Sequence, residues 1–148
     1  MHTDKIMSEI TLGKTKADLV LKNCNIINVF THEIEQGDIA IANGIIVGVG
    51  DYSGEVEKNM DGKYVSPGFI DGHVHIESST LSPAEFSKLV IPRGTTRVIA
   101  DAHEVGNVLG IKGVGYMLKS SISSPLKVHF MIPSCVPTTT FETAGASI

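Results

Sequence analysis

The sequence has no long apolar run. Its opening residues, MHTDKIMSEITLGKTKADLV, contain no continuous hydrophobic stretch of the kind a secretory signal carries, and nothing near the ~20 apolar residues that span a bilayer. A membrane is therefore a poor partner, and a cytoplasmic address is expected. Basic residues are sparse as well: Lys and Arg total 12 against 16 Asp and Glu, and Lys14, Lys16, Lys58, Lys63, Arg93 and Arg97 are scattered. No stripe exists to neutralise a phosphate backbone, which argues against nucleic acid. Only two cysteines occur, Cys24 and Cys135, far apart and outside any CxxC pattern. That excludes a disulfide framework and a thiolate zinc site. Both are expected to be reduced and structural, with Cys135 an inert thiol at the end of a third strand.

What is present suits a soluble globular chain: 148 residues, 42% hydrophobic, formal net charge -4. Residues 1–16 read as an N-terminal tail. From 17 to 66 the pattern is one of short strands, and Asn43-Gly44 between two apolar alternations signals a hairpin, because Asn-Gly supplies the positive φ values of a primed turn. DYSGEVEKNMDGKYVSPG then breaks the pattern, placing a boundary near Ser66-Pro67.

From 67 to 148 the period changes. GFIDGHVH reads as a strand and SPAEFSKLVIPRG as a helix, with Ser82 as cap, Pro83 at the first position, Glu85 completing a capping box, and Pro92 and Gly94 ending it. TTRVIADAHE supplies a second strand, NVLGIKGVGYMLKSS a second helix weakened by Gly110, Gly113 and Gly115, and LKVHFMIPSC a third strand. This is the α/β grammar of a parallel sheet with crossover helices, either an open doubly wound sheet or a (β/α)8 barrel. A whole barrel takes ~250 residues, so at most three of its eight units fit after Pro67. On that view the chain is an opening piece, and TTTFETAGASI is a cut end.

The chemistry concentrates in GFIDGHVHIESS, residues 68–79. Side chains alternate along a strand, so His73 and His75 project to one side at the end of an apolar strand. Neutral imidazole is a common ligand of divalent metals, and a barrel builds its active site from such strand ends. A second doublet, His103-Glu104, closes the next predicted strand; alternatively it is a hydrogen-bonded pair capping the following helix. Asp71 and Asp101 flank the histidines as groups that orient an imidazole or stabilise a turn. His129 reads as an ordinary strand residue, while His2 and His32 carry no motif.

PGFIDGHVHIESS resembles the metal-binding opening of the amidohydrolase superfamily, and the hairpin region before it resembles that superfamily's N-terminal β-sandwich. More narrowly, DGHVHIESS, GTTRVIADAHEVGNVLG, YMLKSS and FMIPSCVPTTTFETAG, in that order, together resemble the adenine deaminase family. The resemblance implies a (β/α)8 barrel behind the first part of a small β-sandwich, and a homo-oligomeric enzyme that hydrolyses adenine to hypoxanthine and ammonia. It also implies a binuclear divalent metal centre, manganese with iron or zinc as alternatives, with His73, His75 and His103 as ligands. Glu77 and Glu104 are the carboxylates it assigns to catalysis: Glu77 accepts from the N–H groups of the base or supports a ligand, and Glu104 ligates metal or orders substrate. The family's HE doublet usually follows a proline, where this chain has Ala102. The proton shuttle and remaining ligands are expected on later strands, so the 148-residue chain alone is expected to be inactive. Two alternatives stand beside this one. N-acetylglucosamine-6-phosphate deacetylase shares the HxH opening but would call for basic residues near HIESS and DAHEV, and a non-catalytic scaffold would have no need of paired ligands.

Overall fold

The computed structural model describes residues 2–137, 139, 141, 143–146 and 148. The chain divides into two compact units, one ending at Pro67 and the other starting at Gly68.

The first unit comprises α1 (His2–Thr11), β1 (Ala17–Asn28), β2 (Glu33–Ala42), β3 (Ile45–Gly50), β4 (Gly54–Asn59) and β5 (Tyr64–Val65). Its sheet runs β3-β2-β1-β4, with β5 also pairing β1. The β1–β2 and β2–β3 pairs are antiparallel, while β4 and β5 lie parallel to β1. Asn43 and Gly44 turn β2 into β3 with φ of 51° and 72°, the two positive values that a tight primed hairpin needs. The segment expected to be a tail is helical over most of its length. Ile10, 2% exposed, joins Ala17, Val20, Ala40 and Ala42 in the core, with Ile6 packed beside them. Ile6 and Ile10 stand four apart and so share a helix face, a short signal easily lost among polar neighbours.

The β1–β2 register slips between Leu21 and Cys24. At this irregularity Asn23 has φ 57°, and its N–H donates to Asp38 Oδ1 at 2.9 Å. Lys22 pairs with the same carboxylate and also donates to the carbonyl of Tyr52 at 3.2 Å. Burial pushes the Asp38 carboxyl up, but the Lys22 hydrogen bond, the Asn23 N–H and the lysine charge outweigh it and leave the group below its ordinary value of 3.8. The same hydrogen bond holds Lys22 above 10.5 against the opposing effect of burial.

In the second unit β6 (Phe69–Val74), β7 (Thr95–Ala100) and β8 (Lys127–Phe130) form a parallel sheet in that order. A 3-10 turn at Ile76–Ser79, α2 (Pro83–Val90) and a second 3-10 turn at Ile91–Arg93 connect β6 to β7. Helices α3 (His103–Leu109) and α4 (Ile111–Ser121) connect β7 to β8. Val98 and Ala100, two apart on β7, bury one face of the sheet against Ile76, Ala102, Met117 and Leu126. Ser82 Oγ accepts from the Glu85 N–H at 3.4 Å and Pro83 opens α2. The Glu85 carboxylate goes to Lys88 Nζ at 2.6 Å, so the capping box is made on the serine side only.

The single helix expected from Asn107 onward is two helices, broken at Gly110 (φ 60°, ψ -148°), and the first begins at His103 itself. Glycine tolerates that backbone pair where a side chain resists it. The third strand is only four residues long, so the half-buried Cys135 lies in the turn beyond it rather than at its end. Pro133, which has no N–H to offer a ladder, follows closely after β8.

Asp38→Asn should lower stability at pH 7 by roughly 1.5–3 kcal/mol, the range for a hydrogen bond to a charged group. The contribution of a depressed carboxyl is complete above its unfolded value and is lost as pH falls through its folded value. The gap in urea midpoint between parent and variant should therefore close on acidification; a gap independent of pH would contradict the assignment. In α4, a Cβ at Gly113 would lie 2.6 Å from the Val105 carbonyl oxygen, whereas one at Gly115 would meet nothing within 4 Å. Gly115→Ala should raise stability by about 1 kcal/mol through helix propensity. Gly113→Ala should lower it, because overpacking of about 1–3 kcal/mol exceeds the same gain.

Candidate metal centre

His73 is the penultimate residue of β6, and His75 follows the strand with an extended backbone (φ -103°, ψ 95°). The alternation expected from the sequence holds: both rings lie on one side, their Nε2 atoms 3.0 Å apart. Beside them the chain leaves β7 at Asp101, whose N–H donates to the carbonyl of Val74 at 3.0 Å and so ties the two strand ends together.

Asp101 controls two of the rings. Its backbone carbonyl lies 2.9 Å from His75 Nδ1, and its Oδ2 lies 3.2 Å from His103 Nδ1. A carbonyl or an ionised carboxylate only accepts, so in a neutral ring the proton sits on Nδ1 and the lone pair on Nε2, the nitrogen left to a cation. The His75 and His103 ring centroids are 4.6 Å apart, edge to face at 80°. Asp101 Oδ1 is buried and has no hydrogen-bond partner among the described residues.

Two groups bring potential ligand atoms within 4.8 Å of one another: His73, His75 and Asp101, then His75, His103 and Glu104. They share His75. Two nitrogens bound at ~2.1 Å to one cation sit ~3.0–3.4 Å apart, so the 3.0 Å separation of the His73 and His75 nitrogens suits a common ion. A buried carboxylate oxygen lacking a partner is costly unless a proton donor or cation meets it. The residues present therefore fit a divalent cation, on donor chemistry and on the orphaned oxygen of Asp101.

Around this core, Ser78 Oγ lies 2.7 Å from both carboxylate oxygens of Glu104. Glu77 Oε1 accepts from the Val105 N–H at 3.5 Å, while Oε2 is buried without a partner among the described residues. Of the residues singled out from sequence, His73, His75, His103 and Glu104 converge. Glu77 lies outside both ligand groups. Asp71 turns its Oδ1 to the backbone N–H of His73 at 3.1 Å, a turn contact rather than a hold on an imidazole ring. His103 and Glu104 fall in the first turn of α3, past the strand end where they were expected. Asp101 was expected to orient a ring; that it also offers an oxygen to the ligand group was missed. His129 pairs with Arg97 at 2.8 Å and is absent from both ligand groups.

A sequence model of the amidohydrolase family matches residues 64–148. The chain belongs to the amidohydrolase family. It is 56% identical over 138 residues to adenine deaminase of Clostridium acetobutylicum, an alignment covering 93% of this chain and 24% of that protein. It is 51% identical over 146 residues to adenine deaminase 2 of Carboxydothermus hydrogenoformans, covering 99% and 26%. Among solved structures it is similar to N-acyl-D-glutamate deacylase of Bordetella bronchiseptica, with 22% identity and a TM-score of 0.46 over 58% of this chain and 19% of that one. The chain thus spans about a quarter of the length of the curated relatives it matches. Amidohydrolases generally use a divalent metal, and the His, Asp and Glu groups described above are able to bind one.

Asp101→Asn should weaken Zn2+ binding about 10–100-fold, the usual cost of losing a partner that orients ligands. Competition against a chromophoric chelator measures it, with an unchanged far-UV circular dichroism spectrum as the folding control. Equal affinity in parent and variant would exclude a role for the carboxylate.

Proposed function

We propose that this chain carries part of the metal centre and substrate site of an adenine deaminase, which converts adenine and water into hypoxanthine and ammonia. The observation that carries this reading is the convergence of His73, His75, Asp101, His103 and Glu104, in a chain 51–56% identical to adenine deaminases. The proposed ligands are His73, His75 and His103, joined by the free oxygen of Asp101, around a binuclear centre that takes manganese, with iron or zinc as alternatives. When bound, such a centre supplies Lewis acidity and lowers the pKa of water so that a nucleophile exists at neutral pH.

The protein's own groups perform the remaining work. Asp101 holds the His75 and His103 rings through their Nδ1 atoms, so that Nε2 is the nitrogen left to a cation. Glu104, in the first turn of α3, orders the substrate or completes the ligand set. Glu77 has one buried carboxylate oxygen without a partner among the described residues, a suitable acceptor for an N–H of the purine. The net change forms a C6–O bond and breaks the C6–N bond, with protons passing from water to the departing amine.

The architecture proposed for this activity is a (β/α)8 barrel opened by β6, β7 and β8, behind the N-terminal part of a β-sandwich built on β1 to β5. Support comes from the parallel order β6-β7-β8 with helices in each connection. Phe69 and Ile70 on β6 are also each 61% exposed, whereas parallel sheets are ordinarily covered on both faces. No helix among the described residues is long and apolar enough to cross a membrane.

The test is a chimera. This chain replaces the matching segment of the Clostridium acetobutylicum protein, and adenine-dependent ammonia release is measured with added Mn2+. The chimera should be active, His73→Ala and His75→Ala should each reduce turnover by at least ~100-fold, and the 148-residue chain alone should show none. A folded, metal-loaded chimera that leaves adenine intact would sink the assignment.

A further inference from the structure

We infer that Ser78 is a positioning residue for the metal centre, acting through Glu104; this rests on the reading of the site given above. Its hydroxyl has one proton to share between two carboxylate oxygens, both at 2.7 Å, and that bifurcated contact holds the Glu104 carboxylate facing the turn after β6. Glu104 is exposed and has three rotatable bonds, so without a partner its head group would sample many orientations. With Ser78 in place, one of its oxygens stays within the group that includes His75 and His103.

The neighbouring hydroxyls are not equivalent. Ser79 Oγ donates to the carbonyl of Ile76 at 2.6 Å, and Thr80 Oγ1 to that of Ser79 at 2.6 Å, so both serve the local turn. Ser78 alone of the three reaches across to α3. Nearby, Glu77 Oε1 accepts from Val105 N–H at the same end of α3, where Ala102 at the cap position makes no side-chain hydrogen bond. The stretch that supplies two imidazoles thus also aims the carboxylate arriving from another element.

The test is Co2+ titration of the 148-residue chain, followed by the visible d–d bands that report ligand geometry. Ser78→Ala should weaken binding about 10-fold and alter the bands, Ser78→Thr should restore both, and Ser79→Ala should match the parent. In a Glu104→Ala background, adding Ser78→Ala should change nothing further. Parent-like binding and spectrum in Ser78→Ala, or an additive loss in the double variant, would overturn the inference while leaving the metal centre standing. If the parent binds Co2+ no better than a His73→Ala, His75→Ala variant, the site reading fails and this inference falls with it.

Discussion

Asp101 is the residue on which the candidate centre depends. Its N–H joins β7 to β6, its carbonyl holds His75 Nδ1, and its carboxylate holds His103 Nδ1. Each contact is a single hydrogen bond, worth little alone. Together they decide which nitrogen of each ring is left to a ligand and how the ring is turned, and a ligand set is only as good as that preorganisation. Asp101 also belongs to the group with His73 and His75, and one of its oxygens has no partner among the described residues, which makes this residue both support and candidate ligand.

Much of the site was legible in the sequence, because its strongest signal is geometric and local. His73 and His75 flank a single residue on a strand, and alternation alone requires their convergence. The Ser82 cap and the Asn43-Gly44 turn are local in the same sense. What escaped depended on chain segments meeting across the unit. The carbonyl of Asp101 belongs to no motif, yet it accepts from a ring 26 positions earlier. Nothing in the spacing of Glu77 announces that its carboxylate turns to the N–H of Val105.

The fold was legible to a similar depth. The change from short strands to alternating strands and helices places a boundary near Pro67, because hydrophobic period is a property of neighbours along the chain. The break at Gly110 was not anticipated as a break. A glycine inside a helical pattern ordinarily costs only about 1 kcal/mol, too little to announce two helices; here it adopts a backbone pair that other residues avoid. Moving the start of the helix to His103 carries the His-Glu doublet off the strand and into the first helical turn. The N-terminal helix was missed for the opposite reason, since its apolar face is just Ile6 and Ile10, and the sheet beneath it completes the core.

The contacts around Asp101 also bear on how the centre comes into being. His75, Asp101 and His103 meet across one strand-to-strand connection, with 26 positions separating the first pair and 2 the second. Pairings this close in sequence close small loops and form early in folding. During synthesis, when N-terminal segments emerge first, these imidazoles can be aligned as soon as β6, α2, β7 and the first turn of α3 have left the ribosome.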